Sequence, residues 1–290
     1  MAAMQPIFFA IIAYIIWGSN VFGTIATRKI GPYKTTFWLL LFLIPIYGLF
    51  CLLFPNGLQN LTPTLFLLNL FLGIIGGLSL ILFYEALRLG NASLVTTISA
   101  SYPALVVILS IVFLREGMTT QQVIAILIIL LGVIISSINF RDVKDGKFKL
   151  DAGAVLAIMT MIVWGVYYTF IKIPIDIIGP AWPNLIAALA YPSILIVLKI
   201  KNIKIDLKDF KQTKYPLIFN AIFLGGGLLA FNYAVGLGGN VSIVTPISAS
   251  YPTLFAVVAY FVFKDAINKQ QILGIVTTLV GIVLLSVFSV

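Results

Sequence analysis

Ten stretches of the chain are apolar for about twenty residues each, the length a helix needs to cross the hydrocarbon core of a bilayer. They fall at about 7–27, 36–54, 64–88, 93–114 and 119–139, then at about 153–173, 182–199, 216–237, 242–263 and 270–288. Inside a bilayer every backbone N–H and C=O must be paired, which leaves helices and closed barrels as the spanning structures. The runs are continuous rather than alternating, which disfavours a barrel. The expectation is an all-α membrane protein with ten transmembrane helices. A composition 61% hydrophobic and 9% charged agrees, being far too apolar for a water-soluble chain of 290 residues. Met1–Pro6 lacks the basic start of a cleavable signal, so the first span is read as retained.

The chain repeats itself. Ile98-Ser99-Ala100-Ser101-Tyr102-Pro103 recurs unchanged as Ile247-Ser248-Ala249-Ser250-Tyr251-Pro252. Around it lie weaker echoes: Trp17-Gly18 with Trp164-Gly165, Gly31-Pro32 with Gly179-Pro180, Pro45 with Pro192, and Gly73, Gly76 and Gly77 with Gly225, Gly226 and Gly227. The division is a first repeat at 1–145 and a second at 146–290, each of five helices. Five is odd, so the second copy enters from the opposite face. The architecture expected is two inverted five-helix repeats, a recurring plan of secondary transporters.

Sixteen of the eighteen Lys and Arg fall in the odd-numbered connections, leaving Arg115 and Lys172 on the other side. That bias puts the odd-numbered connections in the cytoplasm of a cell membrane and both termini outside. The charge of +9 is thereby a topology signal, and no nucleic-acid partner is expected. Thr119 with Gln122, and Asn268 with Gln271, have the spacing of reciprocal helix caps opening spans 5 and 10.

No metal or cofactor is expected. Histidine is absent, Cys51 is the lone cysteine, and no phosphate loop or nucleophile–base set is visible. Glu85 is the one acid within a span, about one turn from its cytoplasmic end, with Arg88 three residues on. It reads as a structural pair near the headgroups, as a gate or coupling group at the mouth, or as a direct substrate contact. Pro103 and Pro252 remove backbone donors at mid-depth, so both copies are read as helix kinks beside hydroxyls. A central substrate cavity is expected from Trp17, Asn20, Tyr84, Ser99, Ser101, Tyr102, Trp164, Tyr168, Asn232, Tyr233, Ser248, Ser250 and Tyr251. Such a lining suits stacking with an organic solute, or cation–π contact with an amine. For each single residue, packing or helix–helix glue is the alternative.

These features together resemble the EamA-type family of the drug/metabolite transporter superfamily. The resemblance is carried by the two Trp-Gly pairs, by Tyr84-Glu85-Ala86-Leu87-Arg88-Leu89-Gly90-Asn91-Ala92-Ser93-Leu94-Val95, and by its echo at Asn240, Ser242 and Val244. Glu116 and Thr119 are similar to a family turn in which the neighbouring Arg and Gly stand in the other order; Lys264-Asp265-Ala266-Ile267-Asn268 is a looser second copy. The resemblance implies alternating access around a central cavity and export of a small metabolite such as an amino acid or amine. It implies a monomeric transporter, secondary-active or facilitated, in which one repeat rocks against the other, and not an enzyme. Many relatives are drawn with cytoplasmic termini, whereas the charges here argue the reverse. The alternatives are a flippase for a lipid-linked substrate, a non-transporting membrane sensor, and a membrane enzyme.

Overall fold

The structure, a computed structural model, describes residues 4–90, 92–137, 152–264 and 268–289, and every regular element among them is helical. Helices α1 (Met4–Gly18) and α2 (Phe22–Ile30) make one interrupted span. Helices α3 (Pro32–Leu53) and α4 (Pro63–Leu89) begin on prolines, where a missing N–H costs nothing. The short helices α5 (Ala92–Ser99) and α6 (Tyr102–Leu109) follow. A π-helical turn (Ser110–Leu114) continues α6, and α7 (Thr120–Ser137) ends the first half. The second half comprises α8 (Ala152–Phe170), α9 (Lys172–Ile178), α10 (Trp182–Ala188), α11 (Ile194–Ile200), α12 (Leu207–Gly236), α13 (Val241–Ser248), α14 (Tyr251–Phe263) and α15 (Lys269–Phe288).

Among the described residues eight helical stretches are long and apolar enough to cross a bilayer: Met4–Ile30, Pro32–Leu53, Pro63–Leu89, Ala152–Ile178, Trp182–Ile200, Leu207–Gly236, Val241–Phe263 and Lys269–Phe288. The fourth and fifth expected spans appear as the shorter apolar helices Tyr102–Leu114 and Thr120–Ser136. Large apolar side chains such as Leu52, Ile196 and Val283 stand exposed, a surface suited to lipid rather than water. The protein is a multi-pass membrane protein. The basic connection 138–151 and the residues Asn91 and Asp265-Ala266-Ile267 of the two motifs lie outside the described residues.

Two expectations change in detail. The prolines do not kink continuous helices. They open new ones, because Pro103 and Pro252 sit in the first turns of α6 and α14, after a turn at Ala100–Ser101 and Ala249–Ser250. The basic stretch before span 8 is not all loop. Asp206 caps α12 through Lys208 N at 2.8 Å, and the helix starts nine residues earlier than the apolar run. The capping pairs form as read: Gln122 N donates to Thr119 Oγ1 (3.2 Å), and Gln271 N to Asn268 Oδ1 (2.8 Å).

The halves interlock. Gly18 lies against Leu254 of α14, and Gly165 lies against Leu105 of α6; a Cβ would come within 2.6 and 2.5 Å of those side chains. The recurrent Trp-Gly pair therefore lets each half's first helix seat on the helix after the other half's Tyr-Pro step. Helices α7 and α15 form a second seam. Gly132 faces the backbone of Thr278, and Gly274 the backbone of Ser136, with small residues four apart on both helices. Gln122 Nε2 donates to Phe288 O (3.2 Å), and Gln270 Nε2 to Ile135 O (2.7 Å), fastening both ends of the seam.

Candidate functional site

A cavity of about 620 Å³ occupies the centre of the molecule. Its floor is aromatic. Tyr102 stacks on Tyr168 at 5.1 Å and meets the edge of Trp164 at 5.5 Å. Trp17 stands 6.0 Å from both Tyr168 and Tyr251. Both indoles are anchored by their N–H groups: Trp17 Nε1 donates to Leu224 O (3.2 Å), and Trp164 Nε1 to Ser79 Oγ (2.9 Å). An indole so fixed keeps its face available at little conformational cost.

The cavity rises along α2, α4 and α12 toward the lysine-rich ends of the helices. Asn20, Gly23, Thr27 and Arg28 line it on one side, Ser79, Phe83, Tyr84 and Leu87 on another, and Asn220, Leu224 and Leu228 on a third. Arg28 is exposed and marks the mouth. The opposite ends are packed. There Glu116 Oε1 accepts from Val241 N (2.9 Å), while its Oε2 accepts from Ser242 N (2.9 Å) and Ser242 Oγ (2.6 Å). A buried carboxylate at a helix N-terminus meets three donors and the favourable end of the helix dipole. Asn60 Nδ2 donates to Ile177 O (3.1 Å) and Trp182 Nε1 to Pro55 O (3.1 Å) on the same closed side.

Of the residues expected at the cavity, Trp17, Asn20, Tyr84, Ser99, Tyr102, Trp164, Tyr168 and Tyr251 line it, as does Pro252. The structure does not bring Ser101, Asn232, Tyr233, Ser248, Ser250 or Pro103 to its wall. Asn232 continues the Asn220–Leu224–Leu228 stripe one turn past the closed end, where its Nδ2 donates to Pro180 O (3.2 Å). Tyr233 packs between Phe9 and Phe54. Ser248 Oγ donates to Val244 O (2.9 Å) and Ala10 O (3.3 Å), and Ser250 Oγ to Pro246 O (2.5 Å). Glu85 and Arg88 stand at the rim, joined to each other at 2.8 and 2.6 Å and absent from the wall.

The sequence reading missed Asn220, Tyr47, Tyr191 and Arg28, and it gave Glu116 only as part of a family-like turn, without its partners. Asn220 carried a signal: it is a lone amide within an apolar run, as Asn20 is. It accepts a hydrogen bond from Asn20 Nδ2 at 2.9 Å. Glu116 carried a weaker one, since an acid between two spans reads first as a solvated loop residue.

The geometry is that of a membrane-embedded, aromatic-walled pocket built from both halves. Residues 4–138 match the EamA-like transporter family, and residues 151–287 match it again. The chain belongs to the EamA-like transporter family. This EamA-like protein is 35% identical over 138 residues to an uncharacterized protein of Methanocaldococcus jannaschii, a match spanning 48% of this chain and 98% of the relative. A solved crystal structure of another protein shares its fold, with a TM-score of 0.75 and 14% identity over 96% of this chain and 94% of the other. Family membership makes the EamA-like protein a membrane transporter of the drug/metabolite superfamily.

Proposed function

We propose that this transporter moves a small organic metabolite by alternating access through the central cavity. The cavity belongs to a fold of ten spans in two inverted repeats, 1–145 and 146–290. The observation that carries the reading is an inequality between equivalent residues. Tyr84 and Ser99 line the open cavity, while the residues at the equivalent positions, Asn232 and Ser248, are packed at the closed side. Inverted copies in opposite states are what one side open and one side shut requires. Exchanging the states would bring Asn232 and Ser248 to a wall and bury Tyr84 and Ser99.

The mouth lies among the lysine-rich connections. With these in the cytoplasm, the cavity is open to the inside, as loading for export requires. No nucleotide-binding motif is present in the sequence, so a gradient or exchange supplies the energy. Ser99, Tyr102, Tyr168 and Tyr251 are assigned to solute contact, and Glu85 with Arg88 to the open rim.

A thermal-stability screen of the purified protein against a metabolite library, followed by flux of the hit into proteoliposomes, tests this reading. Trp17→Ala and Tyr102→Ala should each weaken the hit by about tenfold, since a buried aromatic contact contributes on the order of 1.5 kcal/mol. The reading fails if no small solute binds or crosses, or if both variants bind as tightly as the parent.

A further inference from the structure

We infer that the solute carries one anionic group beside a flat apolar body, an inference that rests on the transport reading of the same cavity. Every acid among the described residues is engaged elsewhere. Glu85 is held by Arg88, Glu116 by Val241 and Ser242, Asp176 by Lys172 at 3.2 Å, Asp209 by Lys34 at 2.8 Å, and Asp206 by its helix cap. None of these five lines the cavity, and Asp142, Asp145, Asp151 and Asp265 lie outside the described residues.

One full charge does line it. Arg28 stands in the wall with its guanidinium 4.9 Å from the centroid of Phe263, and no described carboxylate is paired with it. A cationic solute would enter this field without a counter-charge from the described wall. A carboxylate would gain a charge-assisted hydrogen bond from a planar fork of donors. Aromatic walls alone suit an amine, and Arg28 decides against one.

Two buried polar groups extend the site inward. Ser99 is fully buried, and its hydroxyl has no partner. The Asn20–Asn220 bond leaves the Asn220 Nδ2 amide group and the Asn20 Oδ1 oxygen without partners at the wall. Buried polar groups left unpaired are costly, and solute oxygens that accept from Ser99 Oγ–H and Asn220 Nδ2–H relieve that cost for the donors. Trp17, Tyr102 and Tyr168 supply the faces for its flat body.

The test compares phenylacetate, phenethylamine and phenethyl alcohol, three molecules of one shape and different charge. Binding to the purified full chain is read by quenching of tryptophan fluorescence, and flux by uptake of labelled phenylacetate into proteoliposomes, corrected for protein-free vesicles. Phenylacetate should bind on the order of tenfold more tightly than phenethylamine. Arg28→Gln should lower phenylacetate affinity by about tenfold and move that of phenethyl alcohol by less than about twofold, with Arg28→Lys between parent and Arg28→Gln. Equal or tighter binding of the amine overturns the inference and leaves the transport reading standing, as does an equal effect of Arg28→Gln on acid and alcohol. Phenylacetate bound with the expected preference but never carried supports the inference and sinks the transport reading. No binding by any of the three overturns the inference, while the metabolite screen still decides the transport reading.

Discussion

Gly132→Leu or Gly274→Leu will prevent most of the protein from reaching its folded state in detergent. At these two positions α7 and α15 touch backbone to backbone. A Cβ on Gly132 would meet the amide of Thr278, with Gly274 O only 2.8 Å away, and a Cβ on Gly274 would meet the amide of Ser136. Neither obstacle is the end of a flexible side chain, so the helices must separate. Packing at short range holds membrane helices together, because lipid offers apolar side chains as good a home as another helix does. Forcing a leucine into such a contact costs on the order of 3 kcal/mol or more, a large part of a typical folding free energy. The hydroxyls of Ser136 and Thr278 are already bonded within their own helices, to Val133 O (2.9 Å) and Gly274 O (3.0 Å), and do not offset the loss. Size-exclusion yield and melting temperature measure the effect. Gly48→Leu, at a position open to space, is the control. A Gly132→Leu protein melting with the parent would show that the seam is not a close one.

Glu116→Ala should be the most damaging polar substitution. It removes the acceptors of three hydrogen bonds and strands two buried N–H groups at the start of α13. Each stranded donor costs about 1–3 kcal/mol. The loss falls on the closed side alone, so it should shift the balance of states as well as the stability. The readout is modification of a cysteine placed at Asn232, in a Cys51→Ala background, by an impermeant thiol reagent. A bias of about 1.4 kcal/mol toward the opposite state raises that rate about tenfold. Glu116→Gln keeps one acceptor and should fall between. Loss of stability with no change in the modification rate would make Glu116 a structural cap and nothing more.

The fold was legible because its constraints are coarse. Apolar length and the doubled hexapeptide each act over many residues, and they point to a helical membrane protein with two family repeats. The aromatic floor was legible too, since Trp17, Tyr102, Trp164 and Tyr251 are large residues in equivalent places. The closed-side residues were misplaced for a physical reason. Symmetry in sequence says nothing about which of two equivalent positions is open in one state. Ser99 and Ser248 stand in identical hexapeptides, yet one lines the cavity and the other is bonded to Val244 O and Ala10 O. Glu116 was hidden because its partner is a backbone from the other half, 125 residues away.

The reciprocal seating of Gly18 on Leu254 and Gly165 on Leu105 limits how the molecule can move. Rocking of one repeat against the other would tear both seats and the backbone contacts of the α7–α15 seam together. Packed cores do not deform continuously; they switch along surfaces where contacts are few or replaceable. A cycle that keeps these contacts intact would move bodies that each hold helices from both repeats. In such a cycle the line of symmetry in the sequence and the line of motion would not be the same line.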